Sequence, residues 1–290
     1  MSRNLQNFMQ NFMQNITQNI TQIAIGNFDG IHKAHQVLIK KLGENGAVVV
    51  ILNENKNLTP YKFRENFSNL PFIYFELNTL RNLSGGEFLD FLSKKFPHLN
   101  KIVVGYDFRF GKDRAFDTNF LRKNFSGEVY VMPEFKIEGI GVHSSLIKDF
   151  LDKGELENAK KFLGRDYEIS GEIVKGQGLG KVSLVATLNI RADNFYLPKN
   201  GVYSSFCSLD NSAWQKSISF IGVRESTDGN FAIETHILEN FSDKNYKNCR
   251  IKFIKFLREN RKFSDLNALK SQISEDIQNA EISLKGKNER

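Results

Sequence analysis

Hydrophobic runs of strand length alternate with helical patterns over the first half of the chain. The runs lie at Ile20–Ile25, Ala47–Leu52, Phe72–Phe75, Lys101–Gly105 and Val129–Met132. A turn at Gly26–Gly30 leads into a helix that reaches Leu42, and further helices are predicted at Gly86–Phe96, Ser144–Lys153 and Glu155–Leu163. Strands that alternate with helices predict a doubly wound parallel sheet, with its ligand site at the carboxyl ends of the strands.

The pattern changes after Leu163, where short strands follow one another without helices between them. They are predicted at Tyr167–Lys175, Ser183–Ile190, Gly201–Ser208, Ser217–Val223, Phe231–Leu238 and Asn248–Lys255. This spacing indicates a small antiparallel barrel. A final helix, from Ser264 to about Leu284, puts Leu266, Leu269 and Ile273 on one face. We therefore predict an N-terminal extension (1–19, with the repeats NFMQ and NITQ), a first domain (20–165) and a second domain (166–290).

Composition narrows the class of protein. Hydrophobic residues make up 40% of the chain and charged residues 25%, as in soluble globular proteins. The net charge of +7 suits anionic ligands such as nucleotides, but the basic residues form no block, so we expect no nucleic-acid partner. No apolar run approaches membrane-spanning length, and Cys207 and Cys249 lie far apart in the sequence. We expect a cytoplasmic protein without a membrane partner.

The segment IGNFDGIHKAHQVLI (25–39) is the first candidate site. It combines a strand end, a glycine turn and a helix start that carries His32 and His35. Helix starts offer free N–H groups to phosphate oxygens, and two histidines could stabilise negative charge at an attacked phosphorus. Two alternatives remain open here: a structural role for both histidines, or a metal pair, although no further ligand lies nearby in sequence.

Two more segments of the first half carry candidate chemistry. A strand leads into the glycine-containing, charged loop 103–117, where Arg109 could bind an anion or form a surface salt bridge. In VHSSLIK (142–148), two serines at a helix start could cap the helix and donate hydrogen bonds to phosphate. Lys148, one turn later, supplies a positive charge.

The predicted barrel offers a second candidate site. Gly176, Gly178 and Gly180 form a loop that could approach phosphates, although a plain hairpin turn has the same pattern. The strand FAIETHIL (231–238) places Glu234 on a largely apolar strand. Such a carboxylate suits a general base, and it could equally pair with a Lys or Arg on a neighbouring strand.

Together these segments resemble the bacterial bifunctional riboflavin kinase/FMN adenylyltransferase family. Residues 25–39 resemble the HxGH motif of nucleotidylyltransferases, 103–117 resemble GxDFRFG, and 142–148 resemble ISSTxIR. Three family residues are replaced, by Ala34, Tyr106 and Lys148. In the second half, segments 163–181, 197–203, 220–229 and 256–266 resemble the kinase module.

The resemblance implies a Rossmann-like nucleotidylyltransferase domain followed by a riboflavin kinase barrel. It implies ATP-dependent phosphorylation of riboflavin to FMN, then adenylylation of FMN to FAD with release of pyrophosphate. Riboflavin, FMN, FAD and ATP would be the partners, and Mg²⁺ would be required.

The resemblance also implies a role for each matched residue. The catalytic residues would be His32, His35 and Glu234. The ATP and its phosphates would be bound by Gly26, Asn27, Asp29, Ser144, Ser145, Lys148, Gly178, Gly180, Thr187 and Asn189, of which Thr187 and Asn189 would also contact Mg²⁺ through ATP. The flavin would be bound by Asp107, Arg109, Phe110, Gly111 and Arg258.

Departures in the second half leave other functions open. The family's GFPTAN is LVATLN (184–189) here, and Glu225–Ser226 replace Pro-Thr. The first alternative is therefore a monofunctional FMN adenylyltransferase with a degenerate kinase module. A second alternative is a nucleotide- or flavin-binding regulator without catalytic turnover.

Overall fold

The computed structural model describes residues 17–53, 55–175, 185–226, 228–239 and 245–287. The NFMQ repeats (7–14) and the glycine loop with Gly176, Gly178 and Gly180 lie outside these residues. The chain forms two compact units. The first contains the described residues up to Asn55 together with Tyr61–His143, and the second contains Lys56–Pro60 and the described residues from Ser144 onward.

The first unit is built on a five-stranded parallel sheet, which confirms the predicted fold class. Its strands are β1 (Gln22–Gly26), β2 (Gly46–Leu52), β3 (Phe72–Glu76), β4 (Lys101–Gly105) and β5 (Glu128–Met132). Their order in the sheet is β3-β2-β1-β4-β5. This is the order of a doubly wound sheet, with a reversal between β1 and β4.

Helices and short connections complete this unit. The helices are α1 (Lys33–Ile39), α2 (Leu77–Leu80), α3 (Gly85–Lys95) and α4 (Thr118–Asn124), with 3₁₀ turns at Tyr61–Phe67 and Lys112–Arg114 and a hairpin of β6 (Lys136–Ile137) and β7 (Ile140–Gly141). Helix α3 begins at a capping box, in which Ser84 Oγ accepts from the backbone N of Glu87 and Glu87 Oε2 accepts from the backbone N of Ser84. Its buried face, including Phe88 and Leu92, packs into the hydrophobic core beside the sheet.

The second unit begins with two helices, which are followed by the predicted antiparallel barrel. Helices α5 (Ser144–Lys153) and α6 (Leu156–Leu163) precede strands β8 (Tyr167–Val174), β9 (Leu188–Arg191), β10 (Gly201–Leu209), β11 (Gln215–Val223), β12 (Phe231–Ile237) and β13 (Asn248–Arg258). The barrel closes in the order β10-β11-β12-β9-β8-β13. The strand predicted from Ser183 begins only at Leu188, and β9 is the shortest strand of the barrel.

Buried hydroxyl groups connect three neighbouring barrel strands. Ser205 Oγ on β10 lies 2.8 Å from the Oγ atoms of both Ser217 and Ser219 on β11. Ser219 Oγ donates in turn to Thr235 Oγ1 on β12, at 2.9 Å. All four side chains are buried, so these bonds satisfy groups that would otherwise be unpaired away from water.

The last helix, α7 (Leu266–Leu284), has its half-buried Leu269 and Ile273 on one face, as predicted, whereas Leu266 in the first turn is 55% exposed. The buried positions on this face are Gln272, Asp276, Ala280 and Leu284. Part of the buried face is polar because Asp276 is paired with an arginine of the barrel. Among the described residues, no helix has both the length and the apolar character that crossing a membrane requires.

Candidate active sites

Strands β1 and β4 lie side by side at the centre of the parallel sheet. Gln22 is opposite Lys101 and Ala24 is opposite Val103, so both strands end at the same edge. Strand β1 continues into residues 26–32, and β4 continues into residues 105–117. These segments are called the nucleotide loop and the flavin loop below, after the ligands that the sequence resemblance implies for them. Ligand sites of open α/β sheets form at this edge, beside the reversal of strand order. The topology therefore brings two of the predicted segments together.

The nucleotide loop has an unusual backbone conformation that neighbouring residues hold in place. Phe28 has φ 52° and Ile31 has φ 41°, values that side-chain-bearing residues rarely adopt, and Gly30 has φ 89°. Asn27 Nδ2 donates to the carbonyl of Ile51 at the end of β2, at 3.1 Å. Conformations of this kind persist where the surroundings determine them.

A buried arginine also supports the nucleotide loop. The side chain of Arg64 is fully buried, and its Nε donates to the carbonyl of Phe28 at 3.3 Å. Its Nη1 donates to the carbonyl of Tyr61, also at 3.3 Å. Burial lowers the pKa of Arg64, and the charge of Asp29 opposes that shift. Sequence reasoning missed Arg64, because a single arginine between phenylalanines 36 residues away from Phe28 gives no motif.

The two histidines predicted from the sequence lie together at the start of α1. Their rings stack with centroids 3.6 Å apart and planes inclined by 15°. His32 is the N-cap residue, and its Nδ1 accepts from the backbone N of His35 at 3.4 Å. His32 is 4% exposed and His35 is half-buried, with its Nδ1 buried and without a hydrogen-bond partner among the described residues. His32 thus has a capping role, and His35 retains an unused polar atom.

The replacement of glycine by Ala34 is accommodated on the protein side of α1. Ala34 is 8% exposed and shares the buried face of the helix with Leu38 and Ile39. Residues one turn apart lie on the same face of a helix, which places the Ala34 methyl beside Leu38. The added methyl group therefore packs toward the core.

His35 should lower the stability of the protein in mildly acidic solution. Burial holds the pKa of His35 well below its ordinary value of 6.5, and the charges of His32, Arg64 and His143 act in the same direction. The unfolded chain takes up a proton near pH 6.5, whereas folded His35 does so only at lower pH. Folding stability should therefore fall as the pH drops from 6.5 toward the folded pKa, and this effect should be absent above pH 7.

Urea unfolding at several pH values would test this, with His35→Gln as the comparison. The variant cannot bind the proton, so its stability should fall less over the same interval. An identical pH dependence in both proteins would contradict the expectation.

The flavin loop presents polar side chains and is anchored at both ends. Asp107 and Tyr106 are exposed, and Arg109 Nη1 lies 3.4 Å from Asp117 Oδ2. Asp117 also caps α4 by accepting from the backbone N of Asn119 and of Phe120. Arg109 thus forms a surface salt bridge, one of the two alternatives that the sequence analysis considered, and 49% of its side chain is exposed. Such a pair contributes little stability, so Arg109 can exchange Asp117 for an anionic ligand at small cost.

Phe110 and Gly111 shape the flavin loop. The ring of Phe110 is buried and packs against the rings of Phe88, Phe108 and Phe116. The backbones of Phe110 and Phe116 exchange hydrogen bonds of 3.0 and 3.2 Å, which close the loop. The structure therefore places the Phe110 ring in the core of the unit, beneath the exposed part of the loop.

Replacing Gly111 with alanine should destabilise the first unit. Gly111 has φ 71°, and an added Cβ would lie 2.7 Å from Phe116 Cδ2 and 2.9 Å from the carbonyl oxygen of Leu83. We expect a loss of about 1–3 kcal/mol from the backbone conformation, and a further loss from the contact. Gly139→Ala is the matched control, because Gly139 has φ 81° and open space around it. Equal unfolding midpoints for the two variants would show that the contact has no effect.

The predicted phosphate-binding serines and lysine lie at the start of α5, in the second unit. Ser144 is half-buried and Ser145 is exposed. Lys148 Nζ donates to the carbonyl of Lys56 at 3.1 Å and lies 5.1 Å from the centre of the Tyr196 ring. The ammonium group therefore has a fixed position on its own unit.

The barrel brings two of the predicted kinase residues side by side. Glu234 on β12 is directly opposite Asn189 on β9 in the antiparallel register. Thr187 is exposed and lies two residues before Asn189. His236 Nδ1 lies 2.7 Å from the carbonyl oxygen of Ala186, which holds the segment before β9 against β12.

The Glu234 carboxylate pairs with an arginine, as one alternative from the sequence expected. Arg224 Nη1 donates to Glu234 Oε1 at 3.0 Å. Arg224 also forms two bonds with Asp228, through Nε at 3.0 Å and Nη2 at 2.7 Å. Sequence reasoning assigned no role to Arg224 or Asp228, although an arginine and an aspartate four residues apart in a turn are a usable signal.

Arg258 connects the barrel to the last helix. Its Nε lies 2.8 Å from Asp276 Oδ1, and its Nη2 lies 2.6 Å from Asp276 Oδ2. Gln272 Nε2 donates to the same carboxylate at 3.0 Å. The guanidinium also lies 5.6 Å from the centre of the Phe263 ring. Arg258 therefore has a structural role against the middle of α7, and the family resemblance implies flavin contact for the same residue.

Comparisons with known proteins agree with both units. The family model for riboflavin kinase (Flavokinase) matches residues 163–284. A bifunctional riboflavin kinase/FMN adenylyltransferase of Buchnera aphidicola subsp. Acyrthosiphon pisum is 31% identical, and the match covers 88% of this chain and 90% of that protein. Proteins with the same description from Pseudomonas fluorescens and Escherichia coli K12 are 28% and 26% identical over similar shares.

A solved structure shares the fold. The crystal structure described as a macrolide-efflux protein from Streptococcus pneumoniae superposes with a TM-score of 0.73, at 23% identity, over 89% of this chain and 93% of that one. At this identity the likeness concerns the fold alone. The relatives above match across both units, and the riboflavin kinase match argues against a degenerate second module. This chain therefore belongs to the bifunctional riboflavin kinase/FMN adenylyltransferase family.

Proposed function

We propose that the chain carries out the two reactions of its family at two separate sites. ATP-dependent phosphorylation converts riboflavin to FMN in the barrel, and adenylylation converts FMN to FAD at the site that contains His32 and His35. The observation that carries the proposal is that each unit gathers its own reactive side chains, the His32–His35 stack in one and Glu234 beside Asn189 in the other.

In the adenylylation, an oxygen of the FMN phosphate attacks the α-phosphorus of ATP, and the bond to pyrophosphate breaks. His35 and His32 stabilise the charge that develops on the phosphoryl oxygens. Gly26, Asn27 and Asp29 form the loop against which the triphosphate lies. The free buried Nδ1 of His35 supports this assignment, since a buried polar atom without a partner is uncommon in a folded protein.

The other assignments of the first reaction follow the sequence motifs. Ser144, Ser145 and Lys148 bind the phosphates that leave as pyrophosphate. Asp107 and Arg109 contact the flavin nucleotide through their exposed side chains, while Phe110 and Gly111 set the course of the loop. Residues 20–165 form the adenylyltransferase domain in this proposal, 166–290 form the kinase domain, and 1–19 are an extension.

In the phosphorylation, Glu234 accepts the proton of the riboflavin 5′-hydroxyl as that oxygen attacks the γ-phosphorus of ATP and ADP leaves. Thr187, Asn189, Gly178 and Gly180 bind the ATP phosphates, and Arg258 borders the flavin. No group of three or more His, Cys, Asp or Glu side chains in the described part of the chain could hold a metal ion. The oxygens of Thr187 and Asn189 suit Mg²⁺, which commonly takes few protein ligands besides phosphate oxygens and water. When bound, Mg²⁺ would neutralise charge on the transferred phosphate.

The free thiols of Cys207 and Cys249 and the use of ATP support a location in the cytoplasm.

Chromatographic separation of riboflavin, FMN and FAD over time would test the proposal. With riboflavin, ATP and Mg²⁺, FMN should form first and FAD should follow; with FMN in place of riboflavin, FAD should form directly. A chelator should stop both reactions. FAD formation from FMN alone would indicate an inactive kinase module, and formation of neither product would refute the proposal.

A further inference from the structure

We propose that Arg224 is a positioning residue for riboflavin phosphorylation, which fixes the carboxylate of Glu234 and is itself fixed by Asp228. The inference rests on the proposed role of Glu234 as the base. It assigns a task to two residues that no motif of the sequence singled out.

The three side chains form one connected group at the end of β11 and β12. The Arg224 guanidinium binds Asp228 through Nε and Nη2, at 3.0 and 2.7 Å, and binds Glu234 through Nη1, at 3.0 Å. The exposed fractions of the three side chains lie between 17% and 20%. Partial burial weakens screening by water and salt, and the planar guanidinium fixes the direction of every bond it makes.

Hydrogen bonds within the turn between β11 and β12 hold Asp228 in place. The backbone N of Arg224 donates to the carbonyl of Asn230 at 2.9 Å, and the backbone N of Gly229 donates to the carbonyl of Arg224 at 3.1 Å. The Asp228 carboxylate also accepts from the backbone N and from Nδ2 of Asn230, at 3.1 and 2.7 Å. Asp228 is therefore held by several bonds from its own turn before it binds Arg224.

This turn is where the sequence departs from the family pattern, with Glu225–Ser226 in place of Pro-Thr. Proline restricts the backbone of a turn by itself. Here hydrogen bonds restrict it instead: besides the bonds to Asp228, Ser226 Oγ accepts from the backbone N of Phe263 at 2.9 Å. The described residues of the altered turn are thus held by several hydrogen bonds, and they carry Arg224 in a defined position.

A base needs such support because a glutamate side chain has three rotatable bonds. Glu234 lies opposite Asn189, the residue proposed to contact the ATP phosphates, so its carboxylate must point at a hydroxyl held near those phosphates. The bond from Arg224 selects one orientation and removes that freedom before substrate binds. During the reaction the proton moves from the 5′-hydroxyl to Glu234, and Arg224 neither gains nor loses one.

The test compares Arg224→Met, Arg224→Lys and Asp228→Asn with the unchanged enzyme, with riboflavin phosphorylation measured at saturating and limiting ATP. Misplacing a reacting group by about 1 Å can lower a rate roughly 100-fold, so we expect Arg224→Met to lower kcat by about 10- to 100-fold. KM for ATP should stay within about twofold of the value of the unchanged enzyme, because the substitution disturbs the orientation of the base and not the binding of ATP. Asp228→Asn should lower kcat in the same direction but less, and Arg224→Lys should recover part of the loss.

Combining Arg224→Met with Glu234→Gln shows whether Arg224 acts through Glu234 or directly on ATP. If Arg224 acts through the carboxylate, Arg224→Met should cause no further loss in a Glu234→Gln enzyme, measured at high enzyme concentration. Formation of FAD from supplied FMN reports in each variant that the chain is folded. If Arg224→Met does not fold, Arg224→Lys and Asp228→Asn give the same comparison.

Three results would overturn the inference. The first is an undiminished kcat in Arg224→Met, and the second is a raised KM for ATP with kcat unchanged. The third is that Arg224→Met lowers kcat by the same factor in the unchanged enzyme and in Glu234→Gln. Full phosphorylation by Glu234→Gln alone is a different result, because it would refute the proposed base itself.

Discussion

Glu234→Gln is expected to lower the formation of FMN from riboflavin by about 10²- to 10⁴-fold, the range that general-base catalysis contributes. The amide has nearly the shape of the carboxylate but cannot accept the hydroxyl proton. It can still accept a hydrogen bond from Arg224 through its oxygen, so the group around Arg224 should survive. Initial rates with riboflavin and ATP, with FMN separated by chromatography, would measure the effect.

The same variant contains its own control, because formation of FAD from supplied FMN should remain within about twofold if the two sites act separately. Glu225→Gln is a matched substitution of an exposed glutamate in the neighbouring turn, and it should leave both rates unchanged. Phosphorylation at the normal rate by Glu234→Gln would mean that another group, or water, takes the proton.

His35→Ala should show the opposite selectivity: FAD formation from FMN should fall by about 10²- to 10³-fold, as when a donor to a developing charge is removed. Phosphorylation of riboflavin should be unchanged. We choose His35 over His32 because His32 caps α1 and is almost fully buried, so its loss would also disturb the nucleotide loop.

His98→Ala provides the comparison, since His98 is an exposed histidine remote in sequence from the nucleotide loop. It should leave both reactions unchanged. If His35→Ala formed FAD at the normal rate, the stacked histidines would have only the structural role that His32 shows, and the adenylylation would need another source of charge stabilisation.

The fold class could be predicted because both units have strong local patterns. Each strand of the five-stranded sheet was predicted near its observed position, since buried parallel strands are short apolar runs bounded by turns. Strand β9 was predicted too long. The apolar residues Leu184, Val185 and Ala186 favour a strand from Ser183, but the described part of this segment pairs with other strands only from Leu188 onward.

Features that depend on distant residues could not be predicted. The burial of Asp276 follows from its pairing with Arg258 on another element, so a hydrophobic pattern alone does not predict a charged residue on the buried face of α7. Arg64 is a similar case: a charged residue is expected at the surface, and only the course of the nucleotide loop explains why it is buried. His35 and Glu234 could be proposed as catalytic residues because each lies in a local sequence segment that resembles a motif of the family.

Strand β9 gives the barrel one side that should exchange its amide hydrogens faster than the rest. In the described residues it pairs with β12 at Leu188 and Asn189, whereas β11 and β12 pair along their whole length. Separating β9 from β12 therefore breaks few backbone hydrogen bonds, and the free energy of that local opening should lie well below that of global unfolding. Asn189 belongs to this strand. Nucleotide binding should therefore raise the free energy of the local opening between β9 and β12, where the barrel has the fewest paired residues, and slow amide exchange there.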